Sequence, residues 1–223
     1  MFDLFRKKAP VPPVAIRDTL FGDMPLSSWP GGQASEANDQ PWSTFVQARD
    51  VLNQQKRDEA IRLWQSITEM PNLEARHYLQ AWHFLRQQNV QPPPDKAKFV
   101  YGVVVEVSMP NGLDLLAAYL DGTARYYNYS GAAVIWERPD SRLDTAINAL
   151  LEAGRQIVVL IGPWDRERPP APTGQDVRLS MLTPSGLHFG QGAFEALNAD
   201  PKGHVLIGAA TNLMTQMIDL TTK

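Results

Sequence analysis

The apolar positions of this chain change period at the triple proline Pro92-Pro93-Pro94. Upstream they recur every three or four residues, the spacing of a helix with one buried stripe. Downstream, the first segment alternates residue by residue, as a half-buried strand does. The upstream pattern predicts three helices. The first covers about residues 43–54, with Phe45, Ala48 and Leu52 on one face. The second starts at Asp58 as N-cap, carries Ala60, Ile61, Trp64 and Ile67 as a stripe, and ends before Pro71. The third sets Ala75, Tyr78, Leu79, Trp82 and Leu85 at helical spacing. It stops short of the prolines, because a residue preceding proline disfavours helical backbone.

In the back half, Tyr101 to Met109 has apolar odd positions, with Glu106 and Ser108 turned the other way, so the pattern predicts a strand with one buried face. Leu113 to Leu120 and Thr123 to Tyr129 flank Asp121-Gly122, a strong hairpin signal. Pairing across a two-residue turn puts Leu115, Ala117, Tyr119, Ala124 and Tyr126 on one face. Ala132 to Trp136 reads as a fourth strand. A helix follows, opened by Ser141 with Asp144 in a near capping box, buried through Leu143, Ile147, Leu150 and Leu151, and stopped by Gly154. Gln156 to Ile161 reads as a short apolar strand that a helical crossover lets lie parallel to an earlier one. After a polar loop, Gly162 to Gln175, a hairpin turns at Pro184-Ser185-Gly186, and two helices close the chain, from Ala193 and from His204 to Asp219.

These elements predict an α+β protein, an N-terminal three-helix unit followed by an antiparallel-dominated sheet with packed helices. Residues 1–40 form an extended arm with a short contact at Ile16 to Phe21, residues 41–91 the helical unit, and residues 95–223 the α+β domain. The order of strands and helices resembles that of profilin-like domains, an analogy of fold that carries no activity.

The first two helices resemble a tetratricopeptide-type hairpin over residues 43–89. Ala60 stands at the small position of the second helix and Ala48 twelve earlier, where the family also has a small side chain. Trp64 falls at an aromatic position, and Gln55-Lys56-Arg57-Asp58-Glu59-Ala60 reads like the family's inter-helix turn. Thr44, Gln47, Pro71 and Trp82 depart from the pattern. What the resemblance implies is a packing role for the hairpin.

Composition narrows the function classes. Hydrophobic residues make up 43% and charged residues 20%, ample for a packed core. Residues 1–94 hold 10 basic and 10 acidic side chains, and residues 95–223 hold 11 and 14, so neither half has the cationic excess of a nucleic-acid binder. The absence of cysteine removes disulfides, thiolate nucleophiles and cysteine-ligated metals. At the N-terminus, Met1-Phe2-Asp3-Leu4-Phe5 precedes Arg6-Lys7-Lys8, the reverse of a secretory leader, so a cytoplasmic location without stable membrane insertion is expected. Residues 1–8 alone would give at most marginal contact with an anionic membrane.

Candidate chemistry is sparse. His77 and His83 lie six apart on one helix, a rotation of about 600° that points them to different sides. His188 and His204 have no ligand at metal-binding spacing, so neither a metal nor a cofactor is expected. Ser185 reads as a turn residue, no nucleophile elbow occurs, and catalytic residues stay unassigned. Phe189-Gly190-Gln191-Gly192-Ala193 reads as a strand-to-helix turn where Gly190 and Gly192 would let backbone N–H groups hold an anion. It lacks the third glycine and the Walker lysine. The loop segment Trp164-Asp165-Arg166-Glu167-Arg168 is the better interaction candidate, since Trp and Arg are the side chains that dominate binding hot spots. The expectation is therefore a non-catalytic protein that binds another protein through Trp164, Arg166 and Arg168, as an adaptor, chaperone or inhibitor does. The alternatives are a phosphate-type ligand at Gly190 and Gly192, or a membrane scaffold using residues 1–8.

Overall fold

The computed structural model describes residues 16–32 and 38–221, so the membrane-contact segment 1–8 lies outside the described residues. Helices α1 (Trp42–Asn53), α2 (Arg57–Glu69) and α3 (Ala75–Gln87) come first, and a one-turn helix α4 (Pro94–Ala97) follows the prolines. Strands β1 (Gly102–Met109), β2 (Gly112–Tyr119), β3 (Ala124–Tyr127) and β4 (Ala133–Trp136) form a meander. Helix α5 (Asp144–Val158), strands β5 (Asp176–Thr183) and β6 (Gly186–Ala193), and helices α6 (Phe194–Ala199) and α7 (Pro201–Thr221) complete an α+β fold. The sheet has the order β4-β3-β2-β1-β5-β6, and every neighbouring pair is antiparallel.

Both faces of the sheet are covered. Helices α5 and α7 lie on one, where Ile147, Leu150, Leu151, Leu206 and Leu213 meet Val103, Val105, Leu116, Leu179 and Met181. On the other, Leu20 and Phe21 of the N-terminal arm and Ala75 and Leu79 of α3 cover Val104, Leu115, Ala117, Tyr119 and Leu182. The even positions Gly102 and Val104 of β1 are therefore buried too, and Glu106 is fully enclosed rather than solvated, while Ser108 is half-buried. The opposite edge of α3 places Ala81, Trp82, Phe84 and Leu85 in a third cluster with Phe45, Ala48, Ala60 and Trp64 of α1 and α2. One helix thus serves two cores. The arm is fastened to it by Gln80, whose amide donates to Met24 O at 2.8 Å and accepts from Met24 N–H at 3.0 Å.

The structure corrects several sequence expectations. The β2–β3 connection is a three-residue loop closed by Tyr119 N–H to Thr123 O at 2.9 Å, with Gly122 at φ +81°. The extra residue shifts the register, since a one-residue change moves every side chain to the other face. Ala124 and Tyr126 therefore join Leu116 and Ala118 under the helices, while Tyr127 joins Leu115, Ala117 and Tyr119. Gly154 does not stop α5; it lets the helix approach the sheet, where a Cβ would meet Val103 Cγ2 at 2.8 Å and Met181 Cγ at 3.1 Å. The helix runs on to Val158, so the strand expected at Gln156 to Ile161 is absent and no parallel pair is formed in the described sheet. Neither expected side-chain cap forms. Lys56 is the N-cap of α2, with Asp58 in its first turn, and α5 starts at Asp144 after Leu143.

Candidate functional site

The side of the sheet beneath the arm carries charge as well as apolar residues. Glu106 on β1 faces that side, and the antiparallel register sets Arg178 of β5 directly opposite. Arg17 of the arm completes a triad: its Nε donates to Glu106 Oε1 at 2.5 Å, and an Arg178 guanidinium nitrogen lies 3.2 Å from Oε2. One carboxylate serves two guanidinium groups, so further acceptors are needed in a site that water does not reach. They come from the 162–175 loop and from β6. Pro169 O accepts from both arginines at 2.8 and 3.2 Å, Pro170 O from Arg178 at 2.7 Å, and Gln191 Oε1 from Arg178 Nε at 2.9 Å. Burial, only partly offset by Glu106, holds the Arg178 guanidinium below its usual range.

Arg168 ties the loop to the arm a second time. Its Nε donates to Asp23 at 2.6 Å and another nitrogen to Asp18 at 2.7 Å, while the guanidinium lies 4.3 Å from the centre of the Phe21 ring. Burial works against its charge, but the two carboxylates outweigh it and raise its pKa. Arg168 is thus turned inward as a fastener, and not outward as a docking residue of an open loop would be.

Between this fastened loop, the arm, α3 and the β5–β6 turn lies a cleft of about 480 Å³. Phe21, Leu79 and Leu187 supply apolar wall, Arg86 and His83 line it from α3, and Trp164 and Arg166 stand on its loop side. Trp164 is held in place: its backbone N–H donates to Leu187 O at 2.6 Å, its Nε1 to Glu167 O at 3.0 Å, and its ring meets Phe189 edge-on at 5.3 Å. It nevertheless keeps 38% of its surface exposed. Arg166 lies with its guanidinium 5.5 Å from the Trp164 ring centre, and its side chain is 78% exposed.

Arg86 differs from its neighbours. It is half-buried, and its guanidinium donates to Pro184 O at 2.6 Å. Burial lowers its pKa to about 10, with Asp23 opposing the shift. Burial and the nearby Arg86 charge push His83 down to about 4, so its imidazole is neutral at pH 7, and Gln87 lies 3.0 Å from its Nε2. Across the turn, Ser185 Oγ lies 3.1 Å from His188 Nε2 and 2.9 Å from Thr183 Oγ1. Burial lowers the pKa of His188, with the Ile161 backbone opposing the shift. This small network staples the hairpin turn. Among the described residues no three His, Asp or Glu side chains converge as metal ligands.

Of the residues nominated by sequence, Trp164, Arg166 and Arg168 come together at the cleft. Gly190 and Gly192 do not. They lie within β6, paired with Leu179 and Val177, so the expected turn at that point is a strand and the helix begins only at Phe194. Sequence reasoning missed Arg86, whose partner Pro184 is distant in the chain, and the Arg17–Glu106–Arg178 triad, which exists only through sheet register. Comparison with known family models, with curated proteins and with solved structures finds no match for this chain.

Proposed function

We propose that this chain is a non-catalytic, cytoplasmic protein-interaction protein that receives a segment of another protein at the cleft between α3 and the Trp164 loop. The observation that supports this reading is the state of Trp164: anchored by two hydrogen bonds and an aromatic contact, yet 38% exposed beside the freely presented Arg166. An aromatic side chain fixed before binding loses little conformational freedom on association, which is what makes such residues affinity anchors. The loop beneath it is tied to the sheet and the arm through Pro169, Pro170 and Arg168, so the surface is built in advance of the partner. The described helices include none long and apolar enough to cross a membrane, in keeping with a partner met in solution. Within this reading the α1–α2 hairpin serves to pack and position α3.

Affinity capture from source-cell lysate tests the proposal. The wild-type chain is expected to retain a protein in near-stoichiometric amount, and the Trp164→Ala, Arg166→Ala double variant to lose it. Hot-spot truncations of about 2 kcal/mol or more each weaken binding by roughly 30-fold per residue. Capture that is unaltered by the double variant, with its melting temperature unchanged, would dismiss the loop as the docking site.

A further inference from the structure

Arg86 carries a more specific inference about the same cleft, and it rests on the docking reading above. The other half-buried or buried arginines among the described residues each have a carboxylate within 4.0 Å: Arg17 and Arg178 share Glu106, Arg168 has Asp18 and Asp23, Arg125 has Glu137, Arg76 has Glu74, Arg49 has Asp50, and Arg155 has Glu152. Arg86 has none; its hydrogen-bond acceptor is the neutral carbonyl of Pro184. The guanidinium fork offers five N–H donors in fixed directions, so one carbonyl leaves most of them open. Those donors belong to a residue that lines a cleft of about 480 Å³ whose other walls are Phe21, Leu79, Leu187 and Trp164. A desolvated cation without a paired counter-charge is costly to keep, and burial lowers the Arg86 pKa to about 10, a shift that the Asp23 carboxylate, which makes no ion pair with it, only partly opposes.

Asp23 and Glu167 also line the cleft. Asp23 is already engaged by Arg168 at 2.6 Å, and the Asp165 carboxylate approaches Arg166 no closer than 3.8 Å. On the α3 wall itself the charge is positive, since Arg86 stands there beside the neutral His83.

We propose that Arg86 is the anchor for a carboxylate of the docked peptide, with the apolar side chain next to that carboxylate lying against Trp164 and Leu187. Bidentate pairing between a guanidinium and a carboxylate supplies both the missing counter-charge and the orientation. The carboxylate is the free C-terminus of the partner chain, which carries it on the same residue as the apolar side chain. His83, neutral at physiological pH, adds no competing charge beside Arg86.

The test uses the full chain and a small carboxylate as probe. Titration with 3-phenylpropionate, followed by NMR of the arginine Nε–H groups, is expected to give one saturable shift in the wild type. The uncharged analogue 3-phenylpropanamide is expected to give none, a comparison that needs no variant. Arg86→Gln should reduce binding of the carboxylate by at least tenfold, while Arg86→Lys, which keeps the charge without the fork, should retain part of it. N-acetylated hexapeptides ending in a free carboxylate are expected to bind in preference to the same peptides ending in an amide; equal binding of both, which would assign an internal Asp or Glu, would overturn the C-terminal source. Equal response to acid and amide probes, or a carboxylate response that survives Arg86→Gln, would overturn the assignment of Arg86. Loss of partner capture in the Trp164, Arg166 variant would still stand in that event, so the two readings fail separately.

Discussion

At the residue scale, one carboxylate decides how the arm and the loop meet the sheet. Glu106 has no exposed surface and lies between Arg17 and Arg178, each of which also binds carbonyls of the 162–175 loop. Replacing it leaves two guanidinium groups enclosed without a counter-charge, whereas replacing an exposed partner costs little. Glu106→Gln is expected to lower unfolding stability by about 3 kcal/mol or more, read from urea denaturation. A loss below about 1 kcal/mol would place this triad among the weak surface pairs. The sequence showed Glu106 as a polar position on the solvent side of a strand, because alternation reports two faces without saying that both are covered. What covers the second face, Leu20 and Phe21, comes from a segment rich in turn residues, where periodicity is silent.

At the element scale, helices were more legible than turns. The apolar stripes of α1 and α2 lie where their three- and four-residue spacings put them, since each packs into a single interior, while the α3 stripe divides between two, Ala75 and Leu79 on the sheet and Trp82 and Leu85 in the helical core. Connections failed where one residue changes the outcome, as at Asp121-Gly122, where a three-residue loop reverses the faces of β3. Gly154 shows a second kind of failure. A glycine near the end of an apolar run reads as a stop, but here it is required for the approach of α5 to Val103 and Met181. Adding a side chain at that point forces the helix away from the sheet, an overpacking cost of typically 1–3 kcal/mol. Gly154→Val is expected to lower the thermal midpoint by about 2–12 °C. A gain in stability, as a mere helix-stop glycine in an exposed turn would not oppose, would refute the close approach.

At the scale of the whole molecule, α3 joins the parts. Its Ala75 and Leu79 belong to the sheet's covered face, its Ala81, Trp82, Phe84 and Leu85 to the helical core, and its Arg86 and His83 to the cleft. The cleft is thus assembled from four distant stretches of chain, and only the loop stretch carried a signal in sequence, through its Trp and Arg content. Gly190 and Gly192 carried a misleading one, because a glycine pair before a helix looks the same whether it turns or continues a strand. The central claim is that the loop side of this cleft is occupied by another protein in the cell. Site-specific photo-cross-linking tests it most directly, with a photoreactive amino acid in place of Arg166 and, as a control, in place of the exposed Ile135 on the far edge strand β4. A discrete adduct with one other polypeptide from position 166 alone is the expected result. No adduct at 166, or the same adducts from both positions, would contradict it.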